Sequence, residues 1–301
     1  MTASTAAVID VGSNSICLMV ARQTDAGIVV LHRLKDSARL AAEIGPDGAL
    51  SPTGEARLGA ALRRFTEVAL NFGCVPVAVA TAALRGASNR ADVLERLPFA
   101  VRILSGSEEA AVTYAGARDG LGLDHRRTLV VDVGGGSTEL CLGRGATPDE
   151  VSSLPIGALT LHRSAFGDPP WHREKVELAR SQIRHAFAGT VDVFRPSGHL
   201  AIACSGTLKR VARLVPGARI DEDAGWVLSS AVLSDLVERL AAAPTLADRQ
   251  RLPGMDPERA DIALAGALIY SEMGKMLGVD AWTVSRSGLR RGLLLRAFAQ
   301  A

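Results

Sequence analysis

Aromatic residues make up only 4% of this 301-residue chain, which leaves little surface to stack on nucleotide bases. A formal charge of +2 is likewise too small to announce a nucleic-acid binder, so that class is set aside. The four cysteines, Cys17, Cys74, Cys141 and Cys204, are widely spaced, each in or beside an apolar run, with no C-x-x-C and no histidine cluster nearby. They fit reduced, buried thiols and argue against a structural zinc. No apolar run reaches the ~18 residues that a membrane helix needs. The opening MTASTAAVIDV enters a strand-like run without a basic segment or a small-residue cleavage site, so a cytoplasmic chain with no membrane partner is expected. What is present, 48% hydrophobic and 22% charged residues, is the composition of an α/β protein long enough for two domains with full cores.

The stretch VVDVGGGSTEL, residues 130–140, carries the first functional signal. An apolar run stops at Asp132, and three glycines are followed by Ser137, Thr138 and Glu139. Consecutive glycines let backbone N–H groups approach a ligand with no Cβ in the way, and successive exposed amides suit an anion. A tight β-hairpin between TLVVDV and ELCLG fits the same residues. A matching segment stands near the start: in AVIDVGSNSICLMV, DVGSNS aligns with DVGGGS when Asp10 is set over Asp132. The separation is far too long for a solenoid period and suits two domains of common ancestry.

The coarse element pattern repeats too. Strand-like runs near 6–11, 16–22 and 28–34 precede SPTGEARLGAALRRFTEVALNFG, which reads as a helix. Ser51 can cap it, Pro52 suits its first turn, and Leu58, Leu62, Phe65 and Val68 recur at helical spacing before Gly73. VPVAVA (strand), a helix near 89–97, VRILS (strand) and EEAAVTYAGARDG (helix) follow. The second half offers TLVVDV, ELCLGRG and EVSSLPIG as strands and a helical stretch over 158–194. HLAIACS is then a strand, GTLKRVARLV a helix, 229–277 helical, AWTVS a strand and GLRRGLLLRAFA a closing helix. Three meandering strands followed by βα units predict, in each half, a mixed sheet covered by helices, with a cleft between the two sheets.

Six segments in this order and spacing, IDVGSNS, ATAALRGASN, ILSGSEEAAVTYAGA, VVDVGGGSTEL, LPIGALTL and ACSGTLKRVA, carry a family resemblance. From about residue 6 to its end the chain resembles the exopolyphosphatase/guanosine pentaphosphate phosphatase (Ppx/GppA) family, of the actin, sugar kinase and Hsp70 fold superfamily. The resemblance implies an α/β protein of two ribonuclease H-like (actin-like ATPase) domains, each a mixed five-stranded sheet with helices, facing an interdomain cleft. Residues 1–125 would form the first domain and 126–301 the second, with the last helix, about 288–301, packed back on the first. Longer members carry extra C-terminal helical domains, and this chain resembles the short form. The activity implied is Mg²⁺-dependent (or Mn²⁺-dependent) phosphoanhydride hydrolysis, with inorganic polyphosphate as substrate and guanosine pentaphosphate as the alternative. A kinase of the same superfamily and a non-catalytic sensor of polyphosphate or an alarmone are the readings from other classes. Members are often homodimers, and the oligomeric state is left open here.

Hydrolysis of a terminal phosphoanhydride needs a placed water, a group to take its proton, and charge or donors around the phosphoryl oxygens. In SGSEEA, Ser105 and Glu108 stand in S-x-x-E register, so Glu108 suits a capping box and Glu109 is free to point elsewhere. The resemblance assigns the catalytic glutamate to this second position, Glu109. Asp10, Asp132 and Glu139 sit at the two loops, where carboxylates conflict with an anion unless a cation such as Mg²⁺ joins them. Asp132 acting as a cap of its own turn is the competing reading. Donors for phosphate are Ser13, Asn14, Gly134, Gly135, Gly136, Ser137 and Thr138. Arg85 can grip an oxygen pair, and the family pattern places an arginine there, although Gly86 stands where many relatives have an acidic residue. SGTLKR sets Ser205, Gly206 and Thr207 at a helix start, with Lys209 as the cation. Arg286, Arg290 and Arg291 could extend this positive lining or form a solvated helix face.

Overall fold

The computed structural model describes residues 4–123, 125–195, 198–218 and 225–300, so the outermost residues of the two expected domains lie outside it. Strands β1 (Thr5–Val11), β2 (Ile16–Thr24) and β3 (Gly27–Asp36) meander antiparallel. Helix α1 (Pro52–Asn71) leads into β4 (Val77–Ala80), which pairs parallel to β1. Short helices α2 (Ala82–Gly86) and α3 (Arg90–Arg96) precede β5 (Val101–Ile103) and α4 (Gly106–Gly120). The sheet order is β3-β2-β1-β4-β5.

The same plan returns after residue 127. Strands β6 (Thr128–Val133), β7 (Thr138–Gly143) and β8 (Glu150–Leu154) form the meander. Helices α5 (Ala158–Leu161), α6 (Arg173–Phe187) and α7 (Val191–Phe194) follow, then β9 (Leu200–Ala203) and α8 (Gly206–Ala212). Strand β10 (Trp226–Ser229), helices α9 (Ser230–Ala241), α10 (Leu246–Gln250) and α11 (Ala263–Leu277), strand β11 (Ala281–Val284) and α12 (Leu289–Ala299) complete the fold. The order β10-β11-β9-β6-β7-β8 repeats the first sheet with one strand added at the edge.

That sixth strand corrects the expectation of five. Trp226–Ser229 pairs antiparallel with β11 immediately before a helix, and four residues are too few to show a period of two. The helical stretch over 158–194 is also broken into pieces. Gly167 has φ +55°, and Pro169 and Pro170 have no N–H to continue a helix.

Local chemistry explains the long elements. In α1 the Ser51 Oγ accepts from Gly54 N at 3.1 Å, and Leu58, Leu62 and Phe65 are buried against Ile9, Val11 and Leu18. Helix α11 is apolar on nearly every face and runs through the second core beside Trp282, Phe166 and Phe187. The two halves then exchange helices. Ala110, Tyr114 and Ala117 of α4 pack on Val130, Cys141 and Ile202 of the second sheet. Leu293, Leu294 and Phe298 of α12 pack on Val8, Met19 and Val79 of the first. The helices touch where side chains vanish: a Cβ on Gly292 would lie 1.9 Å from the Val112 carbonyl oxygen. Away from that crossing, Arg39 reaches over to Asp261 (2.9 Å) and the Glu258 carbonyl (2.8 Å), tying the two lobes together. No helix among the described residues is long and apolar enough to cross a membrane.

Candidate active site

A cavity of about 280 Å³ lies between the lobes, and both hairpin loops line it. The loops are closed by the same bond, Gly12 N to Ser15 O (3.1 Å) in one and Gly134 N to Ser137 O (2.9 Å) in the other. The hairpin reading is therefore met, and the same turns line the cavity. Glycine is needed here because the loops nearly touch: a Cβ on Gly136 would lie 2.9 Å from Ser13 Oγ, and one on Gly135 3.1 Å from Ser13 Cβ. Gly157, from LPIGALTL, passes even closer, with its Cβ position 2.6 Å from the Gly135 backbone.

Four carboxylates face this space: Asp10, Glu109, Asp132 and Glu139. Burial raises all four above their ordinary range, and mutual repulsion adds to it for Glu109, Asp132 and Glu139. Asp132 is pushed up to about 6, by burial first and the Asp10 charge second. Glu109 reaches about 7 through burial, against the pull of Arg85, whose Nη1 donates to it at 2.8 Å. Glu139 lies opposite Asp132 in the β6–β7 ladder and accepts from Ser153 Oγ at 2.9 Å. The capping box at α4 forms as the S-x-x-E pattern predicts, with Ser105 Oγ accepting from Glu108 N (3.1 Å) and Glu108 accepting from Ser105 N (2.9 Å). Glu108 is thereby held on the surface, while Glu109 on the next position turns inward and is 9% exposed.

Cations occupy the facing wall. Lys209 has no hydrogen-bond or ion-pair partner among the described residues, and burial with the Arg290 and Arg286 charges lowers it to about 8. Arg290 sits 3.4 Å from Asp10, and Arg210 is paired to Asp256 at 3.0 Å. Ser15 accepts from Arg259 at 3.2 Å.

The cavity brings together Asp10, Ser13, Asn14, Glu109, Asp132, Gly134, Gly135, Gly136, Ser137, Glu139, Ser205, Gly206, Thr207 and Lys209, along with Arg286, Arg290 and Arg291. Thr138 is a correction. It is fully buried and its hydroxyl donates to the Ile156 carbonyl at 2.6 Å, so it fastens the loop from behind and offers nothing to a ligand. The Thr207 hydroxyl is likewise spent on the Val133 carbonyl (2.9 Å), which leaves its backbone alone for a ligand. Arg85 stands behind Glu109, bonded to it and to the Leu104 carbonyl (3.0 Å), and is not part of the cavity wall. The cysteines also differ from expectation: all four are free, but only Cys141 is buried, while Cys17 and Cys204 line the cavity. Arg210 of the basic run GTLKRVAR lines it as well, together with Lys35 and Arg259, two isolated basic residues that carry no pattern in the sequence.

Among the described residues no three His, Cys, Asp or Glu side chains form a complete metal cluster. The donor set nevertheless fits a hard cation. All four acids are oxygen ligands that repel one another, and Asn14 Oδ1 is buried without a hydrogen-bond partner. Mg²⁺ is commonly held by one or two carboxylates, with waters and substrate oxygens completing its shell.

Residues 19–301 match the model of the Ppx/GppA phosphatase family. The chain is 32% identical over 300 residues to Exopolyphosphatase 1 of Mycobacterium bovis, covering 96% of this chain and 87% of that one. It is 34% identical over 299 residues to the uncharacterized protein SCO0757 of Streptomyces coelicolor, covering 96% and 89%. The crystal structure of the Aquifex aeolicus member of the Ppx/GppA family superposes with a TM-score of 0.84 at 24% identity, over 99% of this chain and 98% of that one. The architecture is the two-lobed actin-like fold, with one extra edge strand in the second lobe. By sequence and by fold, this chain belongs to the Ppx/GppA phosphatase family.

Proposed function

We propose that this chain is an exopolyphosphatase that releases orthophosphate from the end of inorganic polyphosphate. The observation that carries the reading is Glu109, a buried carboxylate raised to about 7, facing a cavity walled by two glycine or serine loops and Lys209. A carboxylate near 7 is about half ionised at neutral pH, and its ionised form is basic enough to take a proton from water. Water attacks the terminal phosphorus in line, Glu109 takes its proton, and the bridging P–O bond breaks with its electron pair leaving on the shortened polyphosphate. Arg85 orients Glu109 through their 2.8 Å bond. Backbone N–H groups of Gly135 and Gly136, with Ser13, Asn14, Ser137 and Lys209, hold the phosphoryl oxygens, while the Gly134 N–H is spent on closing the loop. Asp10, Asp132 and Glu139 are the residues that would hold Mg²⁺ or Mn²⁺, whose bound charge offsets that of the phosphate.

A second reading, guanosine pentaphosphate 5′-phosphohydrolase, is favoured by one feature. Met19, Ile28, Val30, Leu289 and Leu294 give part of the cavity an apolar lining that could receive a base. The deciding experiment measures phosphate release from long-chain polyphosphate, tripolyphosphate, guanosine pentaphosphate and ATP, each with Mg²⁺ and with EDTA. Fastest Mg²⁺-dependent release from polyphosphate supports the first reading. Fastest release from guanosine pentaphosphate replaces it with the second, and release from none removes both.

A further inference from the structure

The first turn of α12 carries Arg290 into the cavity on a backbone with little room to move. A Cβ on Gly288 would lie 3.3 Å from Cys204 Cβ, and Gly292 meets the Val112 carbonyl, so close approaches flank Arg290 on both sides. Of the Arg290 side chain 35% remains accessible, and it lines the cavity. A guanidinium carries five N–H donors in a planar fork. Among the described residues Asp10 Oδ2 is its one hydrogen-bond partner, and at 3.4 Å that single contact is longer than the ~2.7–2.9 Å of a strong charge-assisted bond. The other donors have no protein acceptor among the described residues.

The charges around Arg290 support the same reading. Its field reaches Asp10 and Asp132 on one side and Lys209 on the other. It therefore stands where the carboxylate wall meets the cationic wall. A phosphoryl group between the two loops brings its own anionic oxygens toward Asp10 and Asp132, and a fixed cation at this junction relieves that repulsion.

We propose that Arg290 is a catalytic residue of the phosphate site: its free guanidinium donors grip oxygens of the phosphoryl group beside Asp10, while the Asp10 contact holds the fork in place. The proposal rests on the cavity being a phosphoanhydride site. Arg290 forms no covalent bond in the step and gives up no proton, since an arginine stays charged throughout.

Two measurements test it: phosphate release from long-chain polyphosphate, and calorimetric binding of inorganic tripolyphosphate in EDTA. They compare wild type with Arg290→Met, Arg290→Lys, Arg290→Ala and, as a control, Arg296→Met, an exposed position on the same helix. Arg290→Met is expected to lower kcat about 10²–10³-fold and to weaken tripolyphosphate binding at least about tenfold. Arg290→Lys recovers part of the lost kcat, and millimolar guanidinium chloride, unlike equal sodium chloride, reactivates Arg290→Ala. Arg296→Met behaves as wild type. An Arg290→Met enzyme with wild-type kcat and wild-type tripolyphosphate binding overturns the proposal. Should that variant fail to fold, Arg290→Lys decides, because it keeps the charge without the fork: wild-type kcat and binding in it overturn the proposal equally. A wild type that releases phosphate from no substrate overturns the hydrolase reading instead, and tripolyphosphate binding then still decides the role of Arg290.

Discussion

The two hairpin loops share a turn bond and a position in the fold, yet their charges differ. In the first, Asp10 lies opposite Cys17 and has the Arg290 guanidinium at 3.4 Å. In the second, Asp132 lies opposite Glu139 and has no hydrogen-bonded or ion-paired cation of its own among the described residues. One hairpin is a wall with its own counter-charge, and the other a wall of paired carboxylates without one among the described residues. Were Mg²⁺ bound as proposed, its charge would be needed most at Asp132 and Glu139 rather than at Asp10.

Substitution at the two aspartates is the sharpest way to break the comparison. Asp132→Asn is expected to raise the Mg²⁺ concentration needed for half-maximal phosphate release by about 10–100-fold. The same change leaves the metal-free melting temperature equal or higher, because it removes a repelled carboxylate. Asp10→Asn is expected to raise that temperature less than Asp132→Asn does, because removing its buried carboxylate also strips Arg290 of its hydrogen-bonded counter-charge. Equal effects from both, read by metal titration and thermal melts, would show the walls to be electrically alike. A collapse of folding in Asp132→Asn would instead make Asp132 a turn cap.

Packing separates the loops by a smaller margin. Gly157→Ala pushes a methyl group onto the Gly135 backbone and is expected to cost about 1–3 kcal/mol in a denaturant melt. Gly12→Ala, whose Cβ would meet only the Ser15 carbonyl at 3.1 Å, costs less than that. Both loops are held from behind by backbone bonds, Arg39 N and Ala41 N to the first and Ala158 N and Leu159 N to the second, but Gly157 approaches the second more closely.

The raised acids also give the metal-free protein a pH dependence. A carboxylate with a higher pKa folded than unfolded holds more protons in the fold, so its support is complete below the unfolded value near 4. That support is lost as pH climbs through about 6 for Asp132 and about 7 for Glu109. Melting in EDTA is expected to fall between pH 5 and pH 8, with Asp132 contributing on the order of 2 kcal/mol. The fall should shrink in a Glu109→Gln/Asp132→Asn double variant; an unchanged fall would place its source elsewhere. The smallest effect belongs to Thr138→Val, which leaves the Ile156 carbonyl unpaired at about 1 kcal/mol and is expected to change phosphate release by less than about threefold.

Much of this was legible in the sequence because short-range chemistry wrote it there. The S-x-x-E box assigned Glu108 to a cap and left Glu109 free to turn inward, the family resemblance gave Glu109 its role, and the DVG repeat pointed to two loops on one cleft. What escaped did so for physical reasons. Thr138 looked like a donor because a sequence names a hydroxyl but not the Ile156 carbonyl that consumes it. The return of α12 to the first sheet was expected from the family resemblance alone, because no local spacing encodes a contact between the two ends of the chain. Trp226–Ser229 was hidden by its four-residue length. Arg85 was recognised as a functional arginine, but its position behind Glu109 became visible only with the fold.

The central claim is that Glu109 takes the proton from the attacking water. Its most direct test is the pH profile of phosphate release from polyphosphate by wild type and Glu109→Gln, with tripolyphosphate binding measured beside it. The account predicts a wild-type rate that rises through about pH 7 and a variant slowed by about 10²–10⁴-fold with binding retained. A Glu109→Gln enzyme that releases phosphate at the wild-type rate, with the wild-type pH profile, would contradict it.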